Sequence, residues 1–409
     1  MKILVLNCGS SSLKFQLVET TPERIAADTD NVLAQGAIEK IGSGEALVSY
    51  RQKGGPKVRE SKPILKHKEA IQTAFDSMTG PEGVIQHLEE IEGVGHRIVH
   101  GGEHFTQSTL IDDEVLKQIE ASVDLAPLHN PHNLKGYYAA KALLPNARNV
   151  AVFDTAFHQS MTPTAYLYGL PYIYYTRDKM RRYGFHGTSH RYVSHRYAQI
   201  QKKTRADFKM ITCHLGNGCS VCAINYGKSA DTSMGLTPLE GLMMGTRPGD
   251  VDAGAVIYLV EHAEMGLHEV EVLLNKHSGL YGISGVSNDM RDLMKARDEG
   301  NTRAALAVEM FCYRVKKYIG AYLAALNGAD AIIFTGGIGE NAPAIRAQIC
   351  ANLDALGVKI DHSKNDPAIG KEADLTAEGA GVQVWAIPTN EELLIARDTL
   401  RCILNLPHP

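Results

Sequence analysis

The chain opens with a short polar turn whose residue types are suited to binding phosphate. The turn follows an apolar run that ends at Leu6, and it contains Asn7, Gly9, Ser12 and Lys14. Glycine and serine let backbone N–H groups and hydroxyls approach phosphate oxygens, while Asn7 can hold a hydrated Mg²⁺ and Lys14 can meet a phosphate. The sequence contains no G-x-x-x-x-G-K-[ST] motif, so the turn is not a P-loop. Taken alone, it also fits an ordinary polar hairpin.

Two further glycine-rich segments follow β-like runs, at residues 214–218 and 335–341. A strand that ends in a glycine-rich loop and leads into a helix presents backbone amides and a helix N-terminus to a ligand. Residues 335–341 lack the full G-x-G-x-x-G spacing, so a Rossmann dinucleotide site is not supported. Three such segments in one chain indicate a nucleotide held between two domains.

Three charged side chains stand in settings that suit anion or metal binding. Arg97 and Arg247 lie in glycine-rich segments, and guanidinium groups bind carboxylate and phosphate in a bidentate manner. Asp154 follows a predicted strand, at the end where open α/β sheets bind ligands. Surface arginines, salt bridges and a helix N-cap remain open as alternatives.

Glu391 falls in the first turn of the last predicted helix, behind the N-cap Asn390, and could hold Mg²⁺ through water.

Three other groups of residues are interpreted as structural rather than catalytic. Residues 166–197 are dense in Tyr, Arg and His, which is typical of a subunit interface. His186 and His190 could ligate zinc, but no Glu follows His186 as in H-E-x-x-H and a third ligand is not evident. Cys219 and Cys222 form a C-x-x-C in a β-like run, where residues three apart point to opposite faces, so we interpret them as strand residues.

Alternating strand and helix patterns must position these side chains, and the alternation predicts an α/β architecture. Strand–turn–strand hairpins are predicted at 2–7 with 13–18 and at 210–214 with 219–224, so we expect two domains of similar design with a boundary near 150–160. Turn-rich surface loops are predicted at 53–57 and 364–367. Further strands are predicted at 93–99, 149–153, 331–334 and 382–387, and helices at 68–78, 113–123, 132–144, 187–201, 253–263, 288–297, 302–326 and 391–403.

Charge, apolar runs and cysteine spacing argue against several classes of protein. The 409 residues carry 42 basic and 46 acidic side chains, and this net charge of −4 argues against general nucleic-acid binding. No apolar run reaches the roughly 18 residues of a membrane helix, and no signal peptide is recognised. Seven scattered cysteines show no disulfide rhythm, so we expect reduced thiols and a cytoplasmic protein.

Over essentially its whole length the chain resembles the acetate kinases, which belong to the superfamily of actin, sugar kinases and heat-shock chaperone ATPases. The resemblance implies two ribonuclease-H-like (actin-like ATPase) domains with mixed β-sheets flanked by helices and an active-site cleft between them. We expect one domain at 1–154 plus about 389–409 and the other at 155–388. The matching motifs lie at 7–14, 95–102, 128–133, 153–158, 185–190, 214–218, 234–241, 245–250, 336–341 and 388–392.

The resemblance also implies reversible Mg²⁺-dependent phosphoryl transfer between ATP and acetate by a homodimer, with Mn²⁺ as a possible substitute. Asn7 and Glu391 would hold the metal, Arg97 would bind the carboxylate, and Asp154 matches the essential acidic residue. His186 and Arg247 would stabilise the transferring phosphoryl group. The implied nucleotide-binding residues are Ser12, Lys14, His214, Leu215, Gly216, Asn217, Gly218, Asp289, Met290, Arg291, Gly337, Ile338, Gly339, Glu340 and Asn341.

Substrate size depends on an acyl pocket, which the resemblance assigns to the apolar residues Val99, Leu128, Phe185 and Pro238. Relatives that prefer propionate often carry a smaller residue at the position of Val99, so acetate is favoured here. One methylene changes binding by only about 1–3 kcal/mol, so propionate is expected to be a poorer substrate and is not excluded. A propionate or short-chain acid kinase, and a nucleotide-switched ATPase of the actin or chaperone type, are the alternative functions.

Overall fold

A computed structural model describes residues 1–79, 83–127, 129–263 and 265–408. The chain divides into two compact units, of which the first comprises Met1–Ala156 with Asn390–Pro409 and the second comprises Phe157–Thr389. Each unit contains one mixed β-sheet with helices packed against it, so the α/β class is confirmed. Within the described residues, the helices are too short or too polar to span a lipid bilayer.

The first unit contains an eight-stranded sheet in the order β5-β4-β3-β2-β1-β6-β8-β7. Strands β1 to β5 form an antiparallel meander, β1, β6 and β8 run parallel, and β7 closes the edge antiparallel to β8. The strands are β1 (Lys2–Cys8), β2 (Ser12–Glu19), β3 (Asn31–Glu39), β4 (Ser43–Gln52), β5 (Val58–Ile64), β6 (Ile91–Ile98), β7 (Thr109–Leu110) and β8 (Arg148–Phe153). Its helices are α1 (Pro22–Ala27), α2 (His67–Thr79), α3 (Asp113–Ala121), α4 (Asn130–Leu143) and, from the end of the chain, α16 (Glu391–Leu404).

Helix α16 packs directly on the parallel strands β1, β6 and β8. Its buried residues include apolar and hydroxyl-bearing side chains that face the sheet, and glycines on β6 make room for them. A Cβ added at Gly95 would lie 2.7 Å from Cγ2 of Ile395 and still nearer to Oγ1 of Thr399. The side chains of Ile395 and Thr399 are themselves buried. Close backbone approach at Gly95 therefore fixes the depth at which α16 lies on the sheet.

The second unit repeats this design around a six-stranded sheet in the order β11-β10-β9-β12-β14-β13. An antiparallel hairpin of β9 and β10 is again followed by parallel strands β12 and β14. The strands are β9 (Lys209–Leu215), β10 (Cys219–Asn225), β11 (Lys228–Thr232), β12 (Ala331–Thr335), β13 (Ala373–Asp374) and β14 (Gln383–Ala386). The helices are α5 (Pro163–Tyr166), α6 (Ile173–Asp178), α7 (Gly187–Ile200), α8 (Ala253–His262), α9 (Leu267–Lys276), α10 (Gly279–Ser284), α11 (Met290–Asp298), α12 (Thr302–Leu326), α13 (Gly336–Asn341), α14 (Pro343–Cys350) and α15 (His362–Asn365).

Both predicted hairpins are confirmed, as are the predicted helices, with ends that differ by one or two residues. The strands β3, β4 and β5 were not predicted, because β4 and β5 expose many residues and lack a regular apolar alternation. The predicted glycine-rich loop at 335–341 is wrong for most of its length, since Gly336–Asn341 forms helix α13 directly after β12. The turn at 53–57 is confirmed, whereas 364–367 begins inside the short helix α15.

The close approach at Gly95 leads to a stability prediction. Gly95→Ala should destabilise the first unit by roughly 1–3 kcal/mol, because the new methyl group overlaps Ile395 and Thr399 and must push α16 outward. Differential scanning calorimetry should show a lower melting temperature. Gly44→Ala on β4 is the matched control, because a Cβ at Gly44 meets nothing within 4 Å. Equal melting temperatures for the two variants would contradict this packing account.

Candidate functional site

The turn between β1 and β2 is held by contacts that do not involve its exposed side chains. Asn7 and Lys14 are paired across the hairpin register. The N–H of Gly9 donates to the Ser12 carbonyl at 2.8 Å, and Nε2 of His67, at the start of α2, donates to the Gly9 carbonyl at 2.7 Å. The structure thus brings the predicted residues Asn7, Ser12 and Lys14 together at one end of the sheet, on a turn that is fixed from behind.

Arg97 and Asp154 form an ion pair at the carboxyl ends of the parallel strands. Nε of Arg97 donates to Oδ1 of Asp154 at 3.2 Å, and Nη2 donates to Oδ2 in the second arm of a bidentate pair. The carboxylate is almost fully buried, at 1% exposure, while the guanidinium is 19% exposed. Nη1 of Arg97 also reaches Oδ1 of Asn7 at 3.5 Å. Three residues predicted separately therefore form one connected group.

The electrostatics of Arg97 are set by the acidic residues around it. Burial opposes its charge, but the carboxylates of Asp154, Glu391 and Glu392 outweigh burial, so the pKa of Arg97 lies above its ordinary value. Glu391 and Glu392 occupy the first turn of α16, where Asn390 caps the helix by accepting from the Leu393 N–H at 3.0 Å. Glu391 is thereby placed within electrostatic range of the Arg97–Asp154 pair.

Two asparagines that were not assigned a role position the segment after β6. Asn133 accepts from the Val99 N–H at 3.0 Å and donates to the Cys8 carbonyl at 2.7 Å. Asn130 accepts from the His100 N–H at 3.1 Å and donates to the His100 carbonyl at 2.9 Å. Both are buried on one face of α4, and their spacing of three residues was the available signal. Val99 is buried beside them, and Leu128 lies outside the described residues.

A network of imidazoles and hydroxyls surrounds the hairpin of the second unit. The rings of His186 and His214 stack with centroids 4.2 Å apart. Nδ1 of His186 lies 2.9 Å from Oγ of Ser220, and Nδ1 of His214 lies 2.7 Å from Oγ of Ser189. His214 and Ser220 face each other across the β9–β10 register. Their partners Ser189 and His186 therefore also lie side by side next to the hairpin. His186 has a left-handed backbone, φ 55°, at the start of α7.

Arg247 lies beside the same hairpin. Its Nη1 donates to the Pro238 carbonyl at 2.6 Å. A Cβ added at Gly218 would lie 2.8 Å from Nη2 of Arg247 and 3.5 Å from Cε1 of His186, so the bare glycine lets both groups approach. Burial lowers the pKa of Arg247, although the group keeps its charge. The structure thus brings His186, Arg247 and Pro238 together, and it places the buried Phe185 next to His186.

A pocket of about 630 Å³ opens beside this hairpin in the second unit. Its walls come from the β9–β10 turn, the start of α11, and helices α13 and α14, and they are mostly apolar. The pocket is large enough for a nucleotide. The predicted residues among its lining are Gly216, Asn217, Asp289, Met290, Arg291, Gly337, Ile338 and Asn341, and the residues that were not predicted are Asn288, Met294, Ala342, Pro343 and Ala344.

Five predicted nucleotide-binding residues of this unit do not line the pocket: His214, Leu215, Gly218, Gly339 and Glu340. Leu215 and Gly339 are buried in the sheet and helix behind it. Glu340 instead organises the backbone, since its Oε1 accepts from the N–H groups of Gly336 at 2.8 Å and Thr389 at 2.9 Å. In the first unit, Lys14 lines a separate cavity of about 310 Å³ that also contains Arg51, Lys57 and Glu392.

Within residues 1–79, 83–127, 129–263 and 265–408, no group of three His, Cys, Asp or Glu side chains is arranged so that it could hold a metal ion. The donors in the first unit are the Asn7 amide oxygen and the carboxylates of Asp154 and Glu391. This oxygen-rich, sparse set fits Mg²⁺, which takes one or two carboxylates and completes its shell with water and phosphates. His190 bonds the Thr212 and Ser220 hydroxyls, and Cys219 and Cys222 are buried strand residues.

The fold and the two groups of site residues are those of a two-domain α/β phosphotransferase. Residues 2–397 match the model of the Acetokinase family, and the chain belongs to this family. It is 52% identical to the acetate kinase of Natranaerobius thermophilus, over 97% of this chain and 98% of that one. It is also 52% identical to the acetate kinase of Acetivibrio thermocellus, over 99% of this chain and 100% of that one.

Solved structures give the same result. The Porphyromonas gingivalis acetate kinase superposes with a TM-score of 0.92 at 45% identity, covering 98% of this chain and 99% of that one. A propionate kinase from Francisella tularensis superposes with a TM-score of 0.90 at 41% identity, covering 99% of this chain and 100% of that one. These similarities confirm the predicted family and fold.

A pH dependence follows from the buried histidine behind Phe185. His158 donates from Nε2 to the Phe185 carbonyl at 3.0 Å, and burial lowers its pKa to about 4. The unfolded chain, with a pKa near 6.5, binds this proton first as the pH falls, so stability is full above about pH 6.5 and is lost towards pH 4. The loss attributable to His158 should reach about 3 kcal/mol.

Urea unfolding followed by the fluorescence of Trp385, the only tryptophan of the chain, reports on the second unit. His158→Gln should lower stability at pH 7 and flatten its fall between pH 6.5 and pH 5. His268→Gln is the control, because the His268 side chain is 86% exposed. An unchanged pH slope in His158→Gln would contradict the assignment.

Proposed function

We propose that this chain is an acetate kinase, which transfers the γ-phosphoryl group of ATP reversibly to acetate and gives acetyl phosphate and ADP. The observation that carries the proposal is its similarity to acetate kinases along nearly the whole of both chains. The side chains gathered in each unit have the charges that this reaction needs. We assign carboxylate and metal binding to residues 1–154 with 389–409, and nucleotide binding to residues 155–388.

Arg97 is the proposed anchor for the acetate carboxylate. Asp154 engages Nε and one N–H of Nη2, which fixes the guanidinium plane and leaves Nη1 pointing towards Asn7. A partly exposed arginine of fixed orientation binds a carboxylate with little loss of side-chain entropy. We assign Val99, buried next to this group, and Leu128, Phe185 and Pro238 to the acyl pocket.

Asp154 acts in this proposal by holding Arg97 rather than as a general base. The attacking group is a carboxylate oxygen, which carries no proton at neutral pH, so no base is required. The nearly complete burial of Asp154 and its bidentate pairing suit a positioning role. Each oxygen of Asp154 keeps a further lone pair, so the same carboxylate can also bind the metal.

Arg247 and His186 are the proposed groups that stabilise the transferring phosphoryl group. In phosphoryl transfer, negative charge spreads over the equatorial oxygens, and catalysis comes mainly from positioning and electrostatic stabilisation. The contact of Arg247 with the Pro238 carbonyl and that of His186 with Ser220 hold both groups beside Gly218. They are therefore oriented before any substrate binds.

The nucleotide is proposed to occupy the 630 Å³ pocket. Met290, Ile338 and Pro343 offer apolar surface to a base, while Asn217, Asp289 and Asn341 offer polar groups to a ribose. Ser12, Lys14 and the backbone N–H groups of 214–218 and 336–341 are assigned to the phosphates. Asn7 and Glu391 would hold Mg²⁺, or Mn²⁺ in its place, and the metal would neutralise charge on the phosphates.

We also propose a cytoplasmic homodimer. All seven cysteines are free thiols, as expected of a protein from a reducing compartment. The Tyr- and Arg-rich segment presents exposed apolar side chains, with Tyr172 63% and Ile173 54% exposed, and such aromatic surfaces are enriched at subunit interfaces.

Propionate kinase activity is the second candidate, because a Francisella tularensis propionate kinase superposes with a TM-score of 0.90. Trapping of the acyl phosphate with hydroxylamine separates the candidates across acetate, propionate and butyrate. We expect the kcat/KM for acetate to exceed that for propionate by about 10-fold or more, since one methylene is worth about 1–3 kcal/mol. Equal or higher rates with butyrate would refute the acetate assignment, and ATP hydrolysis without trapped product would indicate a nucleotide-switched ATPase.

The role of Arg97 can be tested separately. Arg97→Ala combined with Asp154→Asn, which avoids an unpaired buried carboxylate, should raise the KM for acetate by about 10-fold or more and the KM for ATP by less than about threefold. Arg59→Ala, at an exposed position on β5, is the control for loss of a cation in the same unit. A rise in the KM for ATP alone would contradict carboxylate binding by Arg97.

A further inference from the structure

A thiol, an imidazole and a buried carboxylate form a line at the C-terminal end of α16, away from the residues assigned above. Sγ of Cys402 lies 3.4 Å from Nε2 of His408. Nδ1 of His408 lies 3.2 Å from Oδ1 of Asp398, within ion-pair range. Asp398 is fully buried, and its Oδ2 accepts from the Ser108 hydroxyl at 2.6 Å. The order of groups is that of an activated cysteine nucleophile.

The chain reverses at the end of α16 to make this arrangement. Asn405 adopts a left-handed backbone, φ 54°, and ends the helix. The N–H of Leu406 then donates to the Arg401 carbonyl at 2.8 Å, which turns the tail back along the helix. His408 is thereby brought over Cys402, which lies six residues earlier in the sequence.

Cys402 differs from the other six cysteines in its exposure. Cys402 is partly exposed, whereas Cys8, Cys213, Cys219, Cys222, Cys312 and Cys350 are buried. Burial raises the pKa of Cys8, Cys219, Cys312 and Cys350 to about 12, which keeps them as unreactive thiols. A thiol reagent in solution should therefore react with Cys402 faster than with the six buried cysteines.

The charges around Cys402 favour its activation. The contact between Nδ1 of His408 and Oδ1 of Asp398 is electrostatic and has no hydrogen-bond geometry. The negative charge beside Nδ1 favours the proton at that nitrogen, so that Nε2 can accept the S–H proton. Arg401 on α16 lies 3.6 Å from Oδ1 of Asp398, and Arg148 at the start of β8 donates to the Ile403 carbonyl at 3.0 Å. The positive charge that His408 gains when it takes the S–H proton favours a thiolate at Cys402.

We propose that Cys402 is a reactive thiol, activated by His408 and oriented through Asp398, that forms mixed disulfides with low-molecular-weight disulfides. His408 takes the S–H proton, and the Cys402 sulfur attacks one sulfur of the reagent. A new S–S bond forms as the reagent's S–S bond breaks, and the departing sulfur takes the electron pair and then the proton. A second thiol in solution reverses the exchange, so the modification is reversible.

The test uses the full chain with 5,5′-dithiobis(2-nitrobenzoate) and with glutathione disulfide as probes, and mass spectrometry of peptides locates the modified residue. At pH 7 we expect one fast thiol per chain, on Cys402, that is absent in Cys402→Ser. His408→Asn should slow the fast phase by about 10-fold or more, because an unassisted thiol is only a few per cent ionised at this pH. His268→Asn, at an exposed histidine, is the matched control.

The pH profile separates activation from a mere effect on access. The wild-type rate should level off below pH 8, whereas the rate of His408→Asn should keep rising through pH 8.5, as for an ordinary thiol. Circular dichroism confirms that each variant is folded, and release of six further thiols only in urea confirms that the core is intact. Equal rates and equal pH profiles in wild type and His408→Asn, or a fast thiol elsewhere, would overturn the proposal.

Discussion

The buried ion pair of Arg97 and Asp154 is the interaction on which the first unit's site depends. Burying a carboxylate is costly unless it is paired, and Asp154 is almost completely buried. The bidentate geometry offsets this cost, and it requires β6 and β8 to end at matching heights, which their parallel register ensures. The N–H of Asp154 donates to the Ile98 carbonyl at 3.0 Å, so the ladder continues to the ion pair itself. The pair then orients Arg97 towards Asn7 at the end of β1.

The second unit solves the same problem of orientation with neutral groups. In the contacts described above for its hairpin, imidazole–hydroxyl pairs fix His186 and His214, and an ion pair like that of Arg97 and Asp154 is not among them. Such contacts avoid the cost of burying opposite charges. Arg247 is held by a carbonyl rather than a carboxylate, so its positive charge is not cancelled locally. A cation that is oriented but not neutralised suits a phosphate ligand, whereas Arg97 and Asp154 together form a pair without net charge.

Much of this could be predicted from the sequence. The hairpins, the long helices and the class of fold follow from local patterns, because the apolar runs and glycine turns near Gly9 and Gly216 are strong signals. The strands β3, β4 and β5 could not be predicted, since their stability comes from pairing with β2 and from the edge of the sheet rather than from a burial pattern of their own. Helix α13 was not predicted for a similar reason: its three glycines and Asn341 disfavour a helix, and contacts with Glu340 and the adjacent sheet stabilise it.

For the site, residue type predicted which side chains matter better than it predicted what each one does. Glu340 was expected to contact a nucleotide, yet its carboxylate accepts backbone N–H groups of α13 and of the segment before α16. Asn130 and Asn133 had no assigned role, yet they fix the chain between β6 and Val99. In each case the deciding contact is to backbone of a distant segment, and a sequence pattern carries no information about which carbonyl or N–H lies there. The residues that orient a site are therefore harder to predict than those that present charge to it.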